Sequence, residues 1–164
     1  MTYIKRNIAS NYVSNVDTSG FDKQQISTTV VGYDGTEVAY TPTANSTNVI
    51  YEVNYTLAWN PNEKASYPCT RVQYSDDGGS SWTTIDDTLS VEGTNSTEND
   101  MDWFQMTYIY TLPTWSGERK IRLAGRSYYA ATAYTIGRQF LASYTEGASA
   151  CPHVLIYSVE QWRI

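Results

Sequence analysis

Few residues in this chain are of the types that perform nucleophilic, general-base or metal chemistry. His153 is the one histidine, which excludes any mechanism that needs two imidazoles. Cys69 and Cys151 are too few for a disulfide framework or a four-cysteine metal site. Each opens a predicted strand, and without a visible secretory signal we expect both thiols to be reduced. The chain is therefore predicted to hold no cofactor and no metal, and not to be an enzyme.

The sharpest local motif is SDDGGSSW at residues 75–82. It fits the pattern S-x-D-x-G-x-[S/T]-W and resembles the Asp-box hairpin that sialidases repeat in their propeller blades. In such a turn the aspartate accepts backbone hydrogen bonds, the glycines supply positive φ, and the tryptophan returns to the core. The resemblance implies a structural role, since 164 residues cannot hold six blades. The hairpin residues are Ser75, Asp77, Gly79 and Trp82.

Charged residues concentrate in two places. Residues 86–100 are acidic and without periodicity, and their carboxylate spacing fits no EF-hand loop, so we expect a solvated loop rather than a Ca²⁺ site. The basic cluster comprises Arg119, Lys120, Arg122 and Arg126. Alternation places the last three on one strand face, which is either simply exposed or paired with the acidic loop or an acidic neighbour.

Length and composition exclude several classes of protein. The chain has 164 residues, the size of one domain, and a net charge of −6, which argues against nucleic-acid binding. No apolar run approaches the length of a membrane span. The 15 tyrosines and 5 tryptophans, with abundant threonine, favour strands.

The predicted elements are strands, and no helix is convincing. Period-two alternation is clearest at residues 48–59, where Val49, Tyr51, Val53 and Tyr55 share a face. Residues 101–112 alternate in the same way, with the core-facing set Phe104, Met106, Tyr108, Tyr110 and Leu112. Further strands are predicted at residues 26–31, 36–41, 69–75, 82–85, 119–124, 134–140 and 153–162. This pattern predicts an all-β fold, an antiparallel β-sandwich of the jelly-roll type, over residues 23–164.

Residues 1–22 carry scattered apolar side chains and two adjacent cations. We expect an extended N-terminal arm, with a frayed terminus as the alternative. As an arm, it would dock onto a neighbouring protein or an adjacent subunit. The expected contact residues are Tyr3, Ile4, Lys5, Arg6 and Ile8.

The order of elements resembles the tumour-necrosis-factor/C1q-like jelly rolls of tailed-phage virion proteins. The segments that carry the resemblance are GTEVAYTP, STNVIYEVNYTL, YTLPTWSGERKIRL and ACPHVLIYSVEQW. It covers roughly residues 26–162, and the acidic loop and the arm depart from it. The resemblance implies a homotrimer with the last strand near the three-fold axis. Tyr108, Tyr110 and Tyr157 are the expected interface residues, because tyrosine is enriched at protein interfaces.

The expected function is that of a virion structural protein. Its most favoured form is a trimeric capsid decoration (cement) protein, made in the host cytoplasm and bound to the major capsid protein on the capsid surface, with no nucleic-acid or membrane partner. The alternative is a receptor- or glycan-binding knob of a tail fibre. Two further functions are less favoured. The hypothesis of a sialidase-type enzyme depends on the Asp box alone, and a secreted cytokine-like ligand would need an export signal that the sequence does not show.

Overall fold

The computed structural model describes residues 3–12, 23–26, 28–33, 35–58, 68–86, 88–91, 103–127, 134–137 and 153–162. These residues form twelve strands and no helix, and hence no helix that could cross a membrane. In chain order the strands are β1 (Tyr3–Tyr12), β2 (Lys23–Ile26), β3 (Val31–Gly32), β4 (Val38–Tyr40), β5 (Ser46–Ala58), β6 (Pro68–Ser75), β7 (Thr83–Thr84), β8 (Ser90–Val91), β9 (Trp103–Pro113), β10 (Arg119–Ser127), β11 (Tyr134–Gly137) and β12 (His153–Trp162).

The first sheet is built around β5, the longest strand. On one edge β5 pairs with β9 over its length, and on the other it pairs with β12 and then with β11. β11 and β12 thus lie end to end as one row. β1 and β2 form the next row outward, pairing with β12 and β11 respectively. The first sheet therefore has four rows, in the order β1/β2, β12/β11, β5, β9.

The second sheet is built around β10 and β6, which pair over eight residue positions. β3 and β4 lie end to end along the other edge of β10. β7 and β8 do the same along the other edge of β6. This sheet also has four rows, in the order β3/β4, β10, β6, β7/β8.

The chain passes between these eight rows in the order of a jelly roll. Every pairing among the described strands is antiparallel. The first row lies beside the last in one sheet, and the second lies beside the seventh in the other. This arrangement confirms the predicted all-β antiparallel sandwich.

The two sheets pack through side chains that the alternation predicted. Val49, Tyr51 and Val53 on β5 are fully buried, and they belong to one cluster with Val72, Ile121 and Leu123 of the second sheet. Met106, Tyr108 and Tyr110 lie partly buried against this cluster. Tyr55 stacks on Tyr108 with ring centroids 5.8 Å apart. The core is therefore rich in phenol groups whose hydroxyls need partners.

Thr36 supplies such a partner at the break between β3 and β4. Its backbone carbonyl accepts a 2.7 Å hydrogen bond from the Tyr51 hydroxyl of the first sheet. Its own hydroxyl donates to the Tyr33 carbonyl at 2.6 Å and accepts from the Leu123 N–H at 3.2 Å. Thr36 therefore fills a gap in the β10 ladder and joins the two sheets. Burial raises the pKa of Tyr51 far above its ordinary value, so this phenol stays protonated and able to donate.

Replacing Thr36 by valine keeps the shape of the side chain and removes its oxygen. The buried Leu123 N–H then loses its acceptor, so we expect the free energy of unfolding to fall by about 1–3 kcal/mol. Urea denaturation measures this loss. Thr83→Val, at an exposed strand position, is the control and should change stability by less than about 0.5 kcal/mol. Equal effects of the two substitutions would contradict the role of Thr36.

Candidate functional site

The outer face of the first sheet, which points away from the second sheet, carries apolar side chains. Because Val49, Tyr51 and Val53 point inward, Ile50 and Glu52 point outward. Register places Tyr157 of β12 opposite Ile50, and both Leu155 of β12 and Ile109 of β9 opposite Glu52. We call Ile50, Ile109, Leu155, Tyr157 and Val159 the apolar patch.

The exposure of the apolar patch is unusual for side chains of this type. Ile109 is 63% exposed, and the other four side chains are half-buried. Polar residues surround the patch at Asn48, Asn54, Thr107 and Thr111, and Glu52 lies within it. An apolar centre with a polar rim is the composition of a protein interface. The patch is therefore the leading candidate for a contact with another protein.

β1 extends the outer face of the first sheet by a further row. Its ten residues pair along the whole of β12, with Ile8 opposite Tyr157 and Arg6 opposite Val159. Ile4, Arg6 and Ile8 thus share the face of the apolar patch by register, while Tyr3 and Lys5 belong to the opposite face. The sequence predicts an extended arm over residues 1–22 that docks onto another protein or subunit, whereas residues 3–12 pair with β12 of the same chain and satisfy its outer backbone groups. Residues 13–22 lie outside the described residues.

The three tyrosines predicted for a trimer interface do not share one face. Tyr157 lies on the outer face of the first sheet. Tyr108 and Tyr110 point inward, where Tyr110 stacks on Tyr51 with ring centroids 6.4 Å apart. The outward residue between them is Ile109, which sequence reasoning missed. Alternation does mark Ile109, since it is an apolar residue between Thr107 and Thr111 on the outer face of β9.

A buried carboxylate also escaped the sequence analysis. Glu160 is only 3% exposed and accepts a hydrogen bond from the Thr43 hydroxyl. Its neighbour on the same face of β12, Ser158, bonds the Tyr40 hydroxyl of the second sheet at 2.7 Å. Register places Lys5 of β1 directly opposite Glu160. Opposite charges at paired positions favour this register of the edge strand.

The Asp-box segment forms a hairpin turn between β6 and β7. The Asp77 carboxylate accepts hydrogen bonds from the Ser75 hydroxyl at 2.7 Å and from the Ser81 N–H and hydroxyl at 2.9 and 2.6 Å. Gly78 and Gly79 have φ values of 74° and 101°, which favour glycine. The Trp82 indole donates to the Gly79 carbonyl at 3.0 Å. All four residues predicted for this hairpin, Ser75, Asp77, Gly79 and Trp82, take part in these bonds or turns. The prediction that Trp82 returns to the core was wrong, because its ring stacks on the Arg122 guanidinium instead.

The hydrogen bonds to Asp77 act on the turn itself. Hydrogen bonds from the Ser81 and Ser75 hydroxyls and from the Ser81 N–H lower the pKa of the Asp77 carboxyl well below its ordinary value.

No group of three or more histidine, cysteine or acidic side chains comes together among the described residues. Cys69 is buried, and Cys151 lies outside the described part, so the reduced state of the two thiols stays a prediction.

Replacing Asp77 by alanine should lower the stability of the protein at neutral pH, because three donors of the turn lose their acceptor. The pKa of Asp77 is lower in the folded than in the unfolded chain, so its contribution is present above about pH 4 and is lost as the pH falls further. Urea denaturation of both proteins from pH 7 to pH 2 should therefore show the difference shrinking below about pH 4. Asp86→Ala, an exposed carboxylate beyond the hairpin, is the control. A difference that does not depend on pH would contradict this assignment.

Comparison with known proteins gives little more than the strand arrangement. The sequence matches no protein-family model and no curated protein. Dimeric latent PorU from Porphyromonas gingivalis aligns over 99% of this chain with a TM-score of 0.42 and 7% identity, and this chain spans only 13% of it. Eiger TNF from S. frugiperda aligns over 88% of this chain and 96% of its own, with a TM-score of 0.39 and 9% identity. Both likenesses are weak, so the jelly-roll assignment depends on the strand order of the chain itself.

Proposed function

We propose that this chain is a virion structural protein, a homotrimer that binds the major capsid protein and stabilises a phage head from its outer surface. In this proposal it is made in the host cytoplasm, resides on the capsid surface and performs no catalysis. The apolar patch carries the proposal. Ile109, on the edge row β9, is well exposed beside the half-buried apolar side chains of the patch, and such a surface is costly in water unless another surface covers it.

A second copy of the chain is the occupant that the face fits best. Register places Arg6 at the β1 end of the outer face of the first sheet, whereas Glu52 lies nearer the β9 end. If the β1 end of this face in one copy contacts the β9 end in the next copy, the contact is head-to-tail. Such contacts form a closed ring when the rotation between successive copies adds up to a full turn. A ring of three would cover the apolar patch in each copy and pair the two charges. The phage context rests on the sequence resemblance alone.

The receptor- or glycan-binding knob remains the second candidate, favoured by the half-exposed rings of Trp82 and Trp115. Stacking on sugars requires a free ring face. The guanidinium of Arg122 lies 3.7 Å from the Trp82 ring centroid, and the Trp115 ring packs edge-on against Tyr40. Because these contacts already occupy part of each ring, the decoration protein is the preferred proposal.

Ile109→Lys tests the trimer at its most exposed apolar side chain. Placing a charge in a dry interface costs several kcal/mol per copy, so the variant should be a monomer of 18.5 kDa by light scattering at micromolar concentration. The wild-type protein should have three times that mass. Leu89→Lys is the matched control, because Leu89 is 60% exposed but does not lie on the first sheet. A wild-type monomer, or a trimer in both variants, would contradict the proposed interface.

Co-sedimentation separates the two candidate functions. Purified trimers are mixed with phage heads that lack accessory proteins, and in parallel with intact host cells. A decoration protein should sediment with the heads in a saturable manner, in multiples of three copies, and leave the cells unlabelled. Saturable binding to cells with none to heads would support the knob and overturn the capsid assignment.

A further inference from the structure

The outer face of the second sheet carries an excess of positive charge in a chain whose net charge is −6. Ile121 and Leu123 of β10 point into the core, so Lys120, Arg122 and Arg126 point outward, while Ala124 between the two arginines is fully buried. Register places Arg71 of β6 directly opposite Ala124. Arg122 and Arg126 lie two positions to either side of Ala124. We call Arg71, Arg122 and Arg126 the arginine triad.

The ion pairs of the described residues lie outside the arginine triad. Among the described residues there are two ion pairs, which join Arg119 to Asp76 and Lys120 to Glu37. Neither includes a member of the triad. Lys120, the fourth cation of this face, is therefore paired with a carboxylate, whereas no carboxylate of the described residues forms an ion pair with the triad.

Arg122 is held in place by neutral groups. Its Nε and one terminal nitrogen donate to the Gln73 side-chain oxygen at 3.0 and 2.8 Å, and its guanidinium stacks on Trp82. A side chain on Gly32 would come within 2.6 Å of this guanidinium, so the glycine leaves room for it. Partial burial lowers the pKa of Arg122, against the smaller opposing effect of Glu37. The group is fixed in position before any ligand arrives.

Arg71 has an unused donor. Its Nε is buried and has no hydrogen-bond acceptor within the described structure. Positions diagonal to each other across paired strands are about 7–8 Å apart, so the backbone positions of Arg122 and Arg126 both lie within reach of the Arg71 side chain. Three like charges at this spacing repel one another unless an anion lies between them. An arginine fork matches a carboxylate in shape and can bind it through two parallel hydrogen bonds.

We propose that the arginine triad binds the carboxylates of an acidic segment of another protein. The inference rests on the proposed function, because a ring closed through the first sheet leaves the outer face of the second sheet pointing away from the partner copies. On a virion, the acidic segment belongs to the capsid protein. A short acidic segment is favoured over a nucleic acid because the three arginines occupy a small area of one sheet face, whereas a duplex extends its negative charge over the acidic remainder of the chain.

The test measures binding of the full-length protein to poly-L-glutamate by fluorescence anisotropy over a range of salt concentrations. We expect salt-sensitive binding that Arg71→Gln/Arg126→Gln weakens about tenfold or more. The matched control, Arg119→Gln/Lys120→Gln, removes the same charge from the two residues that are already ion-paired and should bind as the wild type does. Thermal melting establishes that each variant is folded. Arg126→Gln alone replaces the double variant if that protein does not fold.

Several outcomes would overturn the proposal. They are absence of wild-type binding, equal weakening in the two double variants, and equal binding of an oligothymidylate of matched charge. Binding that emerges only after Glu92→Gln/Glu98→Gln/Asp100→Asn would show that the chain's own acidic stretch occupies the triad. Light scattering of the same samples distinguishes failure of this proposal from failure of the proposed function. A monomer that binds polyglutamate through the triad would contradict the proposed trimer and would still support the binding site.

Discussion

The sandwich depends on hydrogen bonds that cross from one sheet to the other. A core that contains several phenol groups is stable only if their buried hydroxyls find acceptors. Tyr51 of the first sheet reaches the Thr36 carbonyl at 2.7 Å, and Tyr40 of the second sheet reaches the Ser158 hydroxyl at the same distance. Dispersion forces alone would let the sheets slide, whereas these directional bonds fix one sheet relative to the other. The abundance of tyrosine, threonine and serine in the sequence follows from this constraint.

The two outer faces of the sandwich differ in chemistry. β5 and β12 carry apolar side chains on both faces, with Val49 and Ile156 in the core and Ile50 and Leu155 on the outside. Ile50 and Tyr157 meet on the outside of the first sheet, while the outside of the second carries Arg71, Arg122 and Arg126. One face is suited to burial against a copy of itself and the other to an acidic surface. A decoration protein needs both kinds of contact, one for its own assembly and one for the shell.

The long alternating strands could be predicted from the sequence, because their period is independent of what they pair with. β12 has the predicted bounds, and β5 differs from its prediction only at the ends. The break at Thr36 could not be predicted, since its hydroxyl replaces a ladder bond only once β10 is in place. For the same reason the sequence predicts one strand at residues 26–31 where the structure has β2 in one sheet and β3 in the other. The two-residue strand β8, within the acidic stretch, was not predicted. The apolar patch was missed because the sequence does not show that β5 brings Ile109 of β9 and Leu155 and Tyr157 of β12 onto one sheet face.

The central claim is that copies of this chain associate through the outer face of the first sheet. A reconstruction of the isolated protein by electron cryomicroscopy, without imposed symmetry, tests it most directly. The account predicts a three-fold ring in which β5, β9 and β12 of each copy face a neighbour, with Ile109 and Tyr157 buried at the contact. A monomer, or an assembly that leaves Ile109 and Tyr157 in solvent and meets through other surfaces, would contradict it.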